Sequence, residues 1–161
     1  MSQPYAVQPV DDSFFETAPL VVEVAVDLDA TPEQVWTALA SEEMWSWLPV
    51  LDRLRWVTPP PLGEGATRIV RVARLFEIEE RFYRWEEARR ATFHVVSSTR
   101  PVVDGFAEDF VLEPVGSGTR LVWKLAAAPK AAGGRDLAWL APLLAPGNRF
   151  AIGGIKKILP R

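Results

Sequence analysis

Apolar and polar positions alternate along most of this chain, and the alternation gives way to a longer period only near its end. The clearest stretch is Leu20–Leu28, where Leu20, Val22, Val24, Val26 and Leu28 interleave with Glu23 and Asp27, the two-residue period of a half-buried strand. A signposted helix follows. Thr31 supplies an N-cap oxygen, Pro32 suits the first helical position, and Gln34 stands where a capping box needs its return partner. This helix is expected to run to about Ala40, and Ser41, Glu42 and Glu43 restart a second short helix through Met44 to Trp47, stopped by Pro49. Further strands are predicted over residues 51–57, 66–74, 77–85, 91–98, 104–113 and 119–127. Pro59-Pro60-Pro61 closes the first of these, Gly63-Glu64-Gly65 turns into the next, and Pro114-Val115-Gly116-Ser117-Gly118 reads as a hairpin joining the last two. The boundary near Leu75-Phe76 lacks any turn residue. From Arg135 the period lengthens to three and four: Leu137, Leu140 and Leu144 share one stripe, and Ile152, Ile155, Ile158 and Leu159 another. Pro142 and Pro146 are expected to kink or divide that helix.

Seven strands joined largely by hairpins predict an antiparallel sheet with one wet face. Two short helices and a long terminal one cover the other face, an α+β arrangement. The chain has 161 residues, 48% of them hydrophobic, enough for one domain over residues 20–161 with a sizeable core. Residues 1–19, with several acids and little periodicity, are expected to form a loose arm or an edge addition. A net charge of −3 leaves no basic footprint for nucleic acid. The absence of cysteine excludes disulfides and thiolate metal sites, and no motif for a cofactor or a phosphate cradle is present. No signal-like N-terminal pattern stands out, so the default location is cytoplasmic. The long uncharged stretch near the C-terminus contains Pro142, Pro146, Gly147, Asn148 and Arg149, which argues against a transmembrane segment. Peripheral membrane contact stays open, as does the choice between monomer and homodimer.

Candidate chemistry is sparse. His94 is the only histidine and alternates with Phe93 and Val95, so it is expected on the wet side of the sheet. Glu108 lies between Phe106 and Phe110, and Glu80 between Ile78 and Phe82, with Arg84 farther along. Arg68 shares a face with Val70 and Val72. A carboxylate on an apolar face is costly unless paired, hydrated or protonated. These residues make either a polar corner that anchors a ligand or moves a proton, or an internal ion pair or a strand end open to water. Trp36, Trp56, Trp85 and Trp123 read as core packing, and Trp45 and Trp47 belong to the second short helix.

Several motifs in order resemble the START-like, Bet v 1-like (SRPBCC) superfamily, and within it the polyketide cyclase/dehydrase group. They are Ala30-Thr31-Pro32-Glu33-Gln34-Val35-Trp36, Trp45-Ser46-Trp47-Leu48-Pro49, Gly63-Glu64-Gly65, and Leu112-Glu113-Pro114 with Gly118-Thr119-Arg120-Leu121. The resemblance spans roughly residues 20–159. It implies a helix-grip fold: a seven-stranded antiparallel sheet wrapped around a long C-terminal helix, with a cavity between them for lipids, polyketides or similar molecules. Three departures from the family pattern stand out. The turn at Glu86-Glu87-Ala88-Arg89-Arg90 lacks the usual Asp and Pro, Glu108 occupies a position where a small residue is common, and the terminal helix is unusually rich in proline and glycine.

The expected function is binding of a hydrophobic small molecule, with a polyketide aromatase/cyclase-like or dehydratase-like enzyme as the alternative. An interaction module working through the apolar terminal helix is a third reading. No catalytic set and no cofactor is predicted. The expected cavity takes Arg68, Val70 and Val72 from one strand, Ile78, Glu80 and Phe82 from the next, and Phe93 from the third. Phe106, Glu108 and Phe110 come from the fourth, Leu121 and Trp123 from the last. Trp45 is placed at the rim, and Leu140, Leu144 and Ile152 are supplied by the helix.

Overall fold

The computed structural model describes residues 3–161; Met1 and Ser2 of the expected arm lie outside the described residues. Strand β2 (Leu20–Leu28) pairs antiparallel along its whole length with β8 (Gly118–Pro129), from Leu20 opposite Ala127 to Leu28 opposite Thr119. Helix α2 (Pro32–Leu39) starts where the capping pattern puts it. Thr31 Oγ1 accepts from Gln34 N at 3.2 Å, and Thr31 N donates to Gln34 Oε1 at 2.9 Å. The helix buries Val35, Trp36, Ala38 and Leu39 against the sheet. The expected second helix is instead a succession of turns, with Met44 N donating to Ser41 O and Leu48 N to Trp45 O. Trp45 takes φ 71°, and a left-handed residue there interrupts any right-handed helix.

The remaining strands are β3 (Leu51–Trp56), β4 (Thr67–Val72), β5 (Phe76–Glu86), β6 (Arg90–Ser98) and β7 (Val103–Val115). One antiparallel sheet runs in the order β2-β8-β7-β6-β5-β4-β3. This is the helix-grip architecture of the Bet v 1-like proteins, with a short strand β1 (Tyr5–Ala6) added to it. The turn after β4 carries two residues in the left-handed region, Ala73 (φ 51°) and Arg74 (φ 58°). Neither is a residue type that advertises a turn, which is why that boundary is obscure in the sequence.

Pairing between β6 and β7 stops at His94 opposite Ala107, whereas β5 follows β6 as far as Ser98. The far end of β7 therefore leaves β6. Strand β1 takes the vacated side, with Tyr5 opposite Ser98, and Val7 N donates to Val96 O at 3.0 Å. The rest of the arm lies on the outer face of the sheet. Helix α1 (Phe14–Thr17) sets Phe14 over Gly105, where a Cβ would stand 3.1 Å from the Phe14 ring. Asp12 accepts from Tyr83 and Arg84 at 2.9 and 3.1 Å.

That face is consequently not wet throughout: Thr92, Ala107, Asp109 and Ala126 are buried on it. His94 is also buried, correcting the expectation of solvent exposure. Its Nδ1 finds no partner among the described residues, and burial, helped by the nearby Arg81 charge, holds its pKa below the ordinary value.

On the inner side, helix α3 (Ala141–Gly153) follows a short 3₁₀ turn and runs on through Pro146. Pro142 sits in its first turn, where a missing N–H costs nothing. The helix is undivided and short, and it packs chiefly on β2. Trp47 Nε1 donates to Ala151 O at 2.7 Å, and Ile152 and Ile155 are wholly buried in the core. No helix among the described residues is long and apolar enough to cross a membrane.

Candidate functional site

The concave side of the sheet is divided into a filled half and a hollow half. In the filled half Trp36, Trp56, Phe82, Trp85 and Phe93 pack at ring separations of 5.0 to 6.0 Å. Bulges help bring them together: between Phe82 and Arg84 the register of β5 slips. Phe82 and Trp85 both reach the aromatic cluster, while Tyr83 and Arg84 meet Asp12 of the arm. Arg84 thus stands outside the polar corner in which the sequence pattern put it.

The hollow half is a cavity of about 370 Å³, within the size range of small-molecule sites. Strands β4 to β8 form its walls, and the turn segment carrying Trp45, Leu48, Val50 and Leu51 forms its roof. Hydrocarbon side chains dominate the lining, and only two carboxyl groups enter it, Glu80 and Glu108. Exposure graduates along it. Val50 is 51% exposed at one end, whereas Val70, Glu80, Val95, Glu108 and Trp123 are buried.

Glu80 is held from behind by Arg68, whose Nε lies 2.5 Å from Glu80 Oε2. The Arg68 guanidinium is itself wedged 5.0 to 5.5 Å from the ring centres of Phe82, Phe93 and Trp56, a cation–π setting that suits a desolvated arginine. The ion pair therefore marks the border between the two halves. Burial pushes the Glu80 carboxyl upward, and the adjacent guanidinium pulls it back only in part.

Among the described residues Glu108 has no cation in contact. Trp123 Nε1 donates to its Oε2 at 3.0 Å. Burial first, and the neighbouring Glu80 charge second, push its pKa up to about 8. At neutral pH the floor thus presents a neutral carboxyl group, able to donate as well as accept a hydrogen bond, beside a bound ion pair.

The structure brings eight of the expected positions to this cavity: Trp45, Val70, Val72, Ile78, Glu80, Phe106, Glu108 and Trp123. The others do not reach it. Arg68, Phe82 and Phe110 belong to the filled half, around a residual gap of about 10 Å³. Phe93, Leu121 and Ile152 are buried in the core cluster. Leu140 packs against that cluster from its edge, and Leu144 is 40% exposed. No residue of α3 lines the cavity, so the hollow lies under the 45–51 segment and not between sheet and C-terminal helix as the resemblance implied. The short helix, packed on β2, does not extend over β4 to β7.

Several lining residues escaped the sequence pattern. Val95 and Leu125 follow Phe93 and Trp123 at the two-residue period, so extending those faces by one step finds them. Phe76 is hidden by the turn before it. Leu48, Val50, Leu51, Val102 and Val103 lie on or beside turns, where periodicity carries no signal.

Among solved structures, Ara h 8.0201 superposes with a TM-score of 0.64 at 12% identity, covering 86% of this chain and 96% of its own. A Chromobacterium violaceum protein superposes at 0.63 with 14% identity, covering 89% and 99%. DynU16, from the dynemicin biosynthetic locus, gives 0.60 at 18% identity over 85% of this chain and 46% of its own. By sequence, the uncharacterized protein Rv2574 of Mycobacterium tuberculosis is 37% identical over 123 residues, 76% of this chain and 74% of the relative. The model of the polyketide cyclase/dehydrase and lipid transport family matches residues 19–159, and with the shared fold this establishes that the chain belongs to that family, within the Bet v 1-like SRPBCC superfamily.

Proposed function

We propose that the chain binds a small, largely apolar molecule in the hollow and that Glu108 takes the hydrogen bond from or to its one polar end. The observation that carries this reading is a cavity of about 370 Å³ lined by hydrocarbon, with two carboxyl groups at its buried end. Filling such a space with apolar groups gains about 25 cal/mol for each Å² removed from water. A polar atom on the guest must then meet Glu108, because an unpaired one in that setting costs about 1–3 kcal/mol. Glu80 is less available, since Arg68 already holds one of its oxygens.

Titration with a neutral lipophilic dye such as Nile red, together with native mass spectrometry of protein purified from its host, tests the reading. Ile78→Trp, which fills the hollow, should weaken dye binding by on the order of tenfold while leaving the circular dichroism spectrum unchanged. Dye affinity untouched by that substitution would place the binding elsewhere.

A second reading, a cyclase-like or dehydratase-like enzyme, is favoured by one observation: a buried carboxyl group, Glu108, enters the hollow with only the Trp123 indole on it. Burial raises its pKa, which suits a general acid able to protonate a bound carbonyl or leaving hydroxyl oxygen. Glu108→Gln separates the two. For a binder the substitution preserves affinity near pH 7; for an enzyme it preserves binding and abolishes turnover.

A further inference from the structure

We propose that the outward face of α3 and the 3₁₀ turns on either side of it form a docking surface for a lipid bilayer bearing anionic headgroups. Trp139, Leu143 and Phe150 are 65%, 68% and 80% exposed. Leu143 and Phe150, seven residues apart, lie on one stripe of α3, opposite the wholly buried Ile152, and Trp139 stands on the 3₁₀ turn (Ala138–Leu140) that leads into the helix. Single exposed apolar residues are ordinary; three large ones on one short helix and the turn before it form a patch that calls for a partner.

Charge identifies that partner. The whole chain carries eighteen basic and twenty-one acidic residues, yet residues 130–161 hold six basic residues and only one acid, Asp136. Lys156 and Lys157 are exposed on the 3₁₀ turn (Gly154–Lys157) that continues α3. Among the described residues Arg135, Lys156, Lys157 and Arg161 enter no ion pair. Arg149 is a different case, because it lies beside Glu23 and Glu113 at the edge of β2. Large apolar side chains flanked by free cations match the hydrocarbon boundary and negative surface of an anionic leaflet. A second copy of the same face would set these cations against one another.

Flotation of the full chain with phosphatidylcholine vesicles, and with the same vesicles containing phosphatidylglycerol, tests the proposal. Binding should occur to the anionic vesicles and fall as salt is added. Phe150→Ser should weaken it on the order of tenfold, and the pair Lys156→Ala with Lys157→Ala roughly thirtyfold. All three positions are exposed, so the folded state should survive, as thermal melts can check. Failure to float with either vesicle overturns the proposal, as does anionic-vesicle binding that Phe150→Ser leaves unchanged. A dimer in sedimentation that Phe150→Ser dissociates, without flotation, would assign the face to a second copy of the chain instead.

Discussion

Glu108 is the residue on which the chemistry of the hollow turns. Folded, its carboxyl keeps a proton up to about pH 8; unfolded, it would release it near pH 4.3. Between those values the unfolded chain binds fewer protons, so folding stability declines as pH rises across that window. Glu108→Gln removes the titration. Denaturant melts should show the variant losing less stability than the parent between pH 5 and pH 9, and a parallel loss in both would mean that Glu108 is ionised throughout. Affinity for a guest that accepts a hydrogen bond should fall in the same direction, as the donor proton leaves above about pH 8. Arg68 makes the opposite case. Arg68→Leu strands Glu80 against aromatic rings and should cost about 3–5 kcal/mol in urea unfolding, whereas changing Glu80 to Leu at the same time should recover much of the loss. Both carboxyl groups were legible in the sequence as charges on apolar faces. Their different fates were not, because they depend on which neighbour Arg68 reaches across the strands.

At the scale of elements, strand alternation and the Thr31–Gln34 capping box carried most of the information, and β2, α2 and the β7–β8 hairpin stand where the pattern puts them. Thr31→Ala should cost about 1 kcal/mol by the usual value of an N-cap, readable as a lowered melting temperature. The failures share a cause: left-handed backbone at residues that do not announce it. Trp45 breaks the second helix into turns, and Ala73 and Arg74 conceal the turn before Phe76. The terminal helix illustrates another limit, since periodicity found the buried Ile152 and Ile155 but also offered Leu144, which is 40% exposed, and gave no sign of the part of the sheet the helix would cover. Its seat depends on Gly154, where an added Cβ would overlap the Trp47 indole. Gly154→Ala should therefore destabilise the chain by about 1–3 kcal/mol. Because Trp47 follows Trp45, at 5.8 Å between rings, the same change should loosen the roof of the hollow and alter dye affinity. An unaltered affinity would show the roof to be independent of the helix.

For the molecule as a whole, the division of the concave side explains how one sheet supports both a rigid core and a space for a guest. Packed aromatic side chains and the buried Arg68 fill one end, and a lining in which Val, Leu and Ile outnumber the aromatic residues leaves room at the other. Composition alone predicts a sizeable core but cannot say that it stops halfway. The wall of the roomy end has an unusual construction. Where β7 parts from β6, the freed edge of β6 is covered, among the described residues, by two paired residues of β1 and the Val7 hydrogen bond. A patch held by so short a ladder unzips more readily than the full strands beside it. Its opening would free the edge of β6 just beyond Val95, which lines the chamber. Deuterium uptake at the Val7 amide should therefore outpace that at Phe93 or Trp123, and a guest that spans the chamber should slow it. The seam where the arm is stitched into the sheet is then the first point at which its rim comes loose.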